Sequence, residues 1–182
     1  MGETNVVNVT RKWVEDVVVG YNLCPFAGRE LSKGSVRFAV TEAKTEEELL
    51  QALHAELQLL EDEPDVETTL LIHPAVLQDF ALYNGFLDVA GSLLAYLNME
   101  GIYQIASFHP SYQFEGTQPD AAENYTNRSP YPMLHLLREA SVEAAIEGHP
   151  NIHEIPQRNI ELMEKLGKEK MQSVLAGCFS AF

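Results

Sequence analysis

Two histidine–proline pairs, His73-Pro74 and His109-Pro110, each close a run rich in β-formers, ETTLLIH and IYQIASF. Imidazole changes charge near neutral pH and can act as base, acid or metal ligand. If the two runs are strands of one direction in the same sheet, both histidines stand at its C-terminal edge, where open α/β sheets bind ligands. His109 also opens a long stretch, FHPSYQFEGTQPDAAENYTNRSPYP, that lacks apolar periodicity. Such a stretch inside a compact domain is uncommon and often functional. Its aromatic residues suggest an ordered flap. His109 is therefore a candidate catalytic residue. Cys24 in NLCPFAGR is a candidate nucleophile, with Arg29 or a histidine available to lower its pKa. His135 is the third catalytic candidate. A metal would fall to His73 and His109 with a carboxylate or Cys24, whereas His149 and His153 have prolines around them that point to a loop.

The long stretch ends in NYTNRSPYPMLHLLRE, which reads as a helix entrance over 131–147. Ser129 fits an N-cap, and Pro130 fits the first helical position, where its missing N–H is not needed. Free amides at a helix start attract anions, and Arg128 stands just ahead of them. On that helix Arg138 falls on one face with His135, half-buried, so its guanidinium needs an internal partner or the anionic group of a ligand. The ligand-binding candidates are Asn127, Arg128, Ser129, Tyr131 and Arg138.

These residues need a scaffold. NVTRKWVEDVVVG (8–20) reads as a helix, and residues 21–35 as an irregular loop. SVRFAV (35–40) alternates as a half-buried strand. Thr45 starts TEEELLQALHAELQLLED with Glu48 in the capping-box position. The run 67–73 is apolar on both faces and belongs in the middle of a sheet. A helix from near Leu77 to Asn98 precedes the third strand, 102–108. Helices follow at 131–147, 156–166 and 168–176. The expected architecture is α/β: a small, mostly parallel βαβαβ sheet flanked by helices, with an N-terminal helix and a C-terminal helical segment. The alternative is an α+β ferredoxin-like sandwich with one strand reversed.

The 182 residues suit one domain, 1–182, with 46% apolar residues to build a core. Twenty-seven acids against 12 bases give a net charge of −15, which argues against nucleic acid as a partner. Much of the excess lies between Glu42 and Glu67 and suits a solvated helix face. No run reaches the ~18 apolar residues of a membrane span, and MGETNVVNVTRKW carries no secretion signal, so a cytoplasmic protein is expected. Cys24 and Cys178 are far apart in the chain and belong to no CxxC pair, so neither a structural disulfide nor a zinc ribbon is expected.

FHPSYQF, NYTNRSPYPMLHLLRE, NLCPFA and IPQRNIELMEKLG together resemble the bacterial family catalogued as domain of unknown function 1415. The likeness covers nearly the whole chain. It implies a bacterial, single-domain cytoplasmic protein and carries no activity, cofactor or catalytic residue with it. From the residues alone, the expected function is a small enzyme acting on a phosphate- or carboxylate-bearing molecule held between the 109–128 loop and the Ser129 helix start. The alternatives are a non-catalytic protein for the same kind of ligand, a metal-binding protein, or a module that pairs with a second copy through VLAGCFSAF.

Overall fold

The computed structural model describes residues 2–148 and 151–180. Among these, four strands form one mixed sheet: β1 (Val36–Val40), β2 (Thr68–Ile72), β3 (Tyr103–Phe108) and β4 (Met133–Arg138). Their spatial order is β1-β2-β4-β3. β1 and β2 are parallel, and β4 lies antiparallel between β2 and β3. The sheet is thus not mostly parallel. β1, β2 and β3 do run in one direction, but β4 takes the place where β3 would have met β2.

β4 is also the main correction to the elements. Residues 131–147 are not one helix: 133–138 form the strand, and only Glu139–Glu147 (α5) is helical. The run MLHLLR has no β-branched residue, so local propensity favours a helix. Pairing with β2 on one side and β3 on the other overrides it. Consequently Ser129 caps no helix, and Pro130 leads into a strand. No helix begins there to present free amides to an anion.

One layer of helices packs on the face of the sheet formed by Ala39, Leu71, Leu134 and Leu136. It consists of α3 (Glu46–Asp62) and α4 (Phe80–Tyr96), which bring Leu49, Leu53, Leu57 and Leu60, and Tyr83, Phe86 and Ala90. α3 begins with the expected capping box: Glu48 N–H donates to the Thr45 hydroxyl, and Thr45 N–H to the Glu48 carboxylate. The Asp79 carboxylate caps α4 by accepting from the N–H groups of Ala81 and Leu82.

The opposite face carries Leu70, Ile72 and Met133. It is covered by α1 (Glu3–Trp13), α6 (Ile155–Leu166) and α7 (Lys168–Phe179) through Val6, Val9, Trp13, Met163, Met171 and the buried Cys178. α1 runs on into a π-helical turn, Val14–Val19, with wide bonds such as Gly20 N–H to the Glu15 carbonyl at 2.9 Å. A Cβ on Gly20 would stand 2.3 Å from the Asp16 carbonyl oxygen, so that turn closes only on glycine. The 21–35 segment is not wholly irregular, since Ala27–Lys33 forms a short helix, α2. No described helix is long and apolar enough to cross a membrane.

Candidate functional site

The shared strand direction does bring His73 and His109 to one edge. Both are fully buried and pack on Tyr83, with ring centroids 5.8 and 5.0 Å away. The Tyr83 hydroxyl sits between β3 and β4, accepting from Phe108 N–H at 3.0 Å and donating to the Met133 carbonyl at 2.8 Å. Burial raises its pKa well above the ordinary phenol value.

The hydrogen bonds of the two histidines decide what they can do. Ser111 N–H donates to His109 Nδ1 at 3.0 Å, so that nitrogen carries no proton. Nε2 then donates to the Leu77 carbonyl at 3.1 Å. Both nitrogens are spent, and burial lowers the pKa. His109 pins β3 to the segment before α4, and proton transfer through it would break one of these bonds. His73 donates from Nδ1 to the Val76 carbonyl at 3.0 Å, while its Nε2 is buried without a partner among the described residues. Desolvation lowers its pKa to about 4. Among the described residues no group of three His, Cys, Asp or Glu side chains is placed to hold a metal ion, and His149 lies outside the described residues. A hollow of about 440 Å³ lies nearby, beside Thr45 and Asp79. Several helix-start amides there are already taken by the Thr45 and Asp79 caps.

The residues proposed to bind an anion are committed to the fold. Arg128 donates to the Tyr112 carbonyl at 3.2 Å and the Pro119 carbonyl at 2.6 Å, and lies over the Tyr125 ring. It clamps the 109–128 loop. Asn124, fully buried, ties the same loop by accepting from Phe114 N–H and the Thr117 hydroxyl. Asn127 donates to the Ser107 carbonyl, and the Ser129 hydroxyl to the Tyr131 carbonyl. Tyr131 is buried against Phe179. Arg138 reaches the last turn of α3 and the segment after it, donating to the carbonyls of Leu60 at 2.5 Å and Val66 at 3.0 Å, and to the Tyr103 hydroxyl at 2.9 Å. Its partners are the helix-end carbonyl of Leu60, the carbonyl of Val66 beyond the helix and a phenol hydroxyl, rather than a carboxylate.

A larger cavity lies elsewhere. On the face that carries Leu70, the helices leave part of the sheet uncovered, and a pocket of about 790 Å³ opens there. Small-molecule sites are commonly of this size and mostly apolar. Leu70, Ala106 and Phe108 contribute to its floor, with His135 among them. His135 pairs in register with Leu70 on one side and Ala106 on the other. Trp13 and Val18 wall it from α1 and the π turn, Ala145 from α5, and Cys24 from the loop before α2. Cys24 is exposed. Arg29 and Lys33 line it too, and both lean on Glu30, whose carboxyl they help hold below its usual pKa although burial opposes them. Two of the three candidate catalytic residues, Cys24 and His135, thus share this pocket, and His109 is not among its lining residues.

Two residues that line the pocket carry a ring nitrogen with no hydrogen-bond partner among the described residues. Trp13 is nearly fully buried, and among the described residues its indole N–H has no hydrogen-bond partner. Its ring meets Phe108 edge-on at 5.4 Å, and Phe108 in turn meets His135 at 6.0 Å. His135 Nε2 lies 2.8 Å from the Thr68 hydroxyl. Nδ1 has no hydrogen-bond partner among the described residues. Desolvation lowers the His135 pKa to about 4, so the ring is neutral at pH 7. Trp13 and Thr68 were not singled out from sequence. The only signal for Trp13 was a lone tryptophan in a valine-rich helix, and Thr68 has none without the strand pairing.

Residues 5–173 match the model of the family described as a protein of unknown function, DUF1415. The chain belongs to that family. No curated protein and no solved structure matches it.

Proposed function

We propose that this protein is a small enzyme that binds an organic molecule in the sheet-face pocket and uses His135 as its proton acceptor. The observation that carries this reading is the uncommitted neutral imidazole at the floor of a large apolar cavity. A base needs an open nitrogen within reach of the substrate, and His135 offers one where water is largely excluded. The substrate's apolar body lies over Leu70, Ala106 and Phe108. The Trp13 ring, whose Nε1 is closed off from solvent, walls the substrate's apolar body. A carboxylate or phosphate on the substrate points outward to Arg29 and Lys33, competing with Glu30 for them. Cys24 lines the same pocket.

The test is a thermal-shift screen of carboxylated and phosphorylated metabolites on wild type, Trp13→Phe and His135→Gln. A ligand that binds only the folded state raises the melting temperature by mass action. The expected result is a ligand whose shift falls in Trp13→Phe, and a reaction on it that His135→Gln abolishes while binding persists. Ligands whose shifts ignore both substitutions overturn the assignment of the pocket. Binding with no turnover in wild type makes this a binding protein instead.

A further inference from the structure

Thr68 makes two contacts whose geometry leaves one arrangement of protons. Its hydroxyl oxygen is 2.6 Å from the Leu136 carbonyl oxygen and 2.8 Å from His135 Nε2. A hydroxyl has one hydrogen and two lone pairs, and a carbonyl oxygen can only accept. Two oxygens 2.6 Å apart therefore have the Thr68 hydrogen between them. Towards His135 the Thr68 oxygen can only accept, so Nε2 carries the hydrogen. A neutral imidazole has one N–H, and Nδ1 is left bare.

We infer that Thr68 is a positioning residue: it locks His135 in the Nε2–H tautomer and so leaves the Nδ1 lone pair as the open nitrogen of the pocket. The two bonds form a short relay, His135 Nε2–H to Thr68 and Thr68 O–H to the Leu136 carbonyl, in which each bond polarises the next. β2 supplies Thr68, and β4 supplies both His135 and the Leu136 carbonyl, so the strand pairing itself builds the relay. Whatever meets His135 in the pocket must bring a hydrogen-bond donor. That requirement rests on the pocket being the functional site, whereas the tautomer does not.

The experiment needs no ligand. Long-range proton–nitrogen correlation spectra of the full ¹⁵N-labelled chain at pH 7.5 report which imidazole nitrogen is protonated, with His135 assigned from its loss in His135→Gln. The expected spectrum has Nε2 protonated and Nδ1 bare in wild type and in Thr68→Ser. In Thr68→Val the ratio of tautomers shifts about tenfold towards Nδ1–H, the worth of one hydrogen bond. If that variant does not fold, Thr68→Ala makes the same comparison. An Nδ1–H tautomer in wild type overturns the inference, as does a ratio that stays within about twofold on loss of the hydroxyl. A failed metabolite screen would not move these spectra, so the tautomer and the pocket reading fail separately.

Discussion

His109 stands where β3 ends, with the Ser111 N–H on one nitrogen and the Leu77 carbonyl on the other. His135 stands within β4, with Thr68 on one nitrogen and, among the described residues, no hydrogen-bond partner on the second. Burial lowers the pKa of both. The difference lies in what each has left over. At the strand edge every capacity of His109 is used to join segments of the chain. On the sheet face, half the capacity of His135 remains open, and it opens onto a cavity. A buried polar group with all its partners is architecture, and one with a partner missing is where a ligand can gain. The arginines repeat the contrast: Arg128 and Arg138 hold backbone carbonyls, while Arg29 stays largely exposed at the pocket.

The sharpest way to break this contrast is His109→Ala. It should cost about 3 kcal/mol, from a cavity plus two buried groups left unpaired, with no effect on a pocket ligand beyond stability. Urea unfolding gives the first quantity and ligand titration the second. A stable His109→Ala variant that has lost ligand binding would move the site to the strand edge. Acid gives an effect of similar size. His73 has its folded pKa lowered to about 4, while in the unfolded chain it titrates near its ordinary 6.5. Its contribution is whole above pH 6.5 and is lost as pH falls from 6.5 towards 4. It amounts to about 3 kcal/mol of stability over that window. Unfolding free energies measured at pH 7.5 and 4.5 should show the loss, and His73→Phe should reduce it by that share, with His135 and His109, also lowered by burial, carrying the rest. Arg128→Ala comes next, at about 1–2 kcal/mol, because two carbonyls lose their donor near the surface. The local sign is faster proteolysis within 109–128, with the pocket untouched. The smallest effect is expected at His135→Phe, within about 1 kcal/mol, because Thr68 keeps the Leu136 carbonyl and the ring stays among apolar neighbours. The loss of a pocket ligand in that same stable variant would sharpen the contrast most.

Much of the scaffold could be read locally. The Thr45–Glu48 capping box and the β1 to β3 runs follow from patterns within a few residues, and the common edge of His73 and His109 from the alternation of strands with helices. β2 is buried at every position, as a run apolar on both faces should be. β4 could not be read this way. A six-residue stretch with four apolar residues, led by Pro130 and Pro132, fits a helix or a strand, and partners more than twenty residues away decide it. The error spread to the site, because the helix reading turned Ser129 into a cap and set Arg138 beside His135. Along a strand those two side chains fall on opposite faces: Arg138 reaches α3, and His135 meets the pocket. Cys24 and His135 were named from residue type alone. What unites them is a gap in helix coverage, which belongs to packing and leaves no mark in the sequence.

β4 is last among the described strands to be synthesised, yet it occupies an interior place in the sheet. Until residues 133–138 leave the ribosome, β2 has an unpaired edge and β3 has no neighbour. A nascent chain that has made three strands therefore carries a slot shaped for a fourth. Open strand edges invite pairing with other chains. In the cell, the hazard for this protein is concentrated in the interval between translation of Phe108 and of Arg138. A ribosome stalled there would release an aggregation-prone fragment.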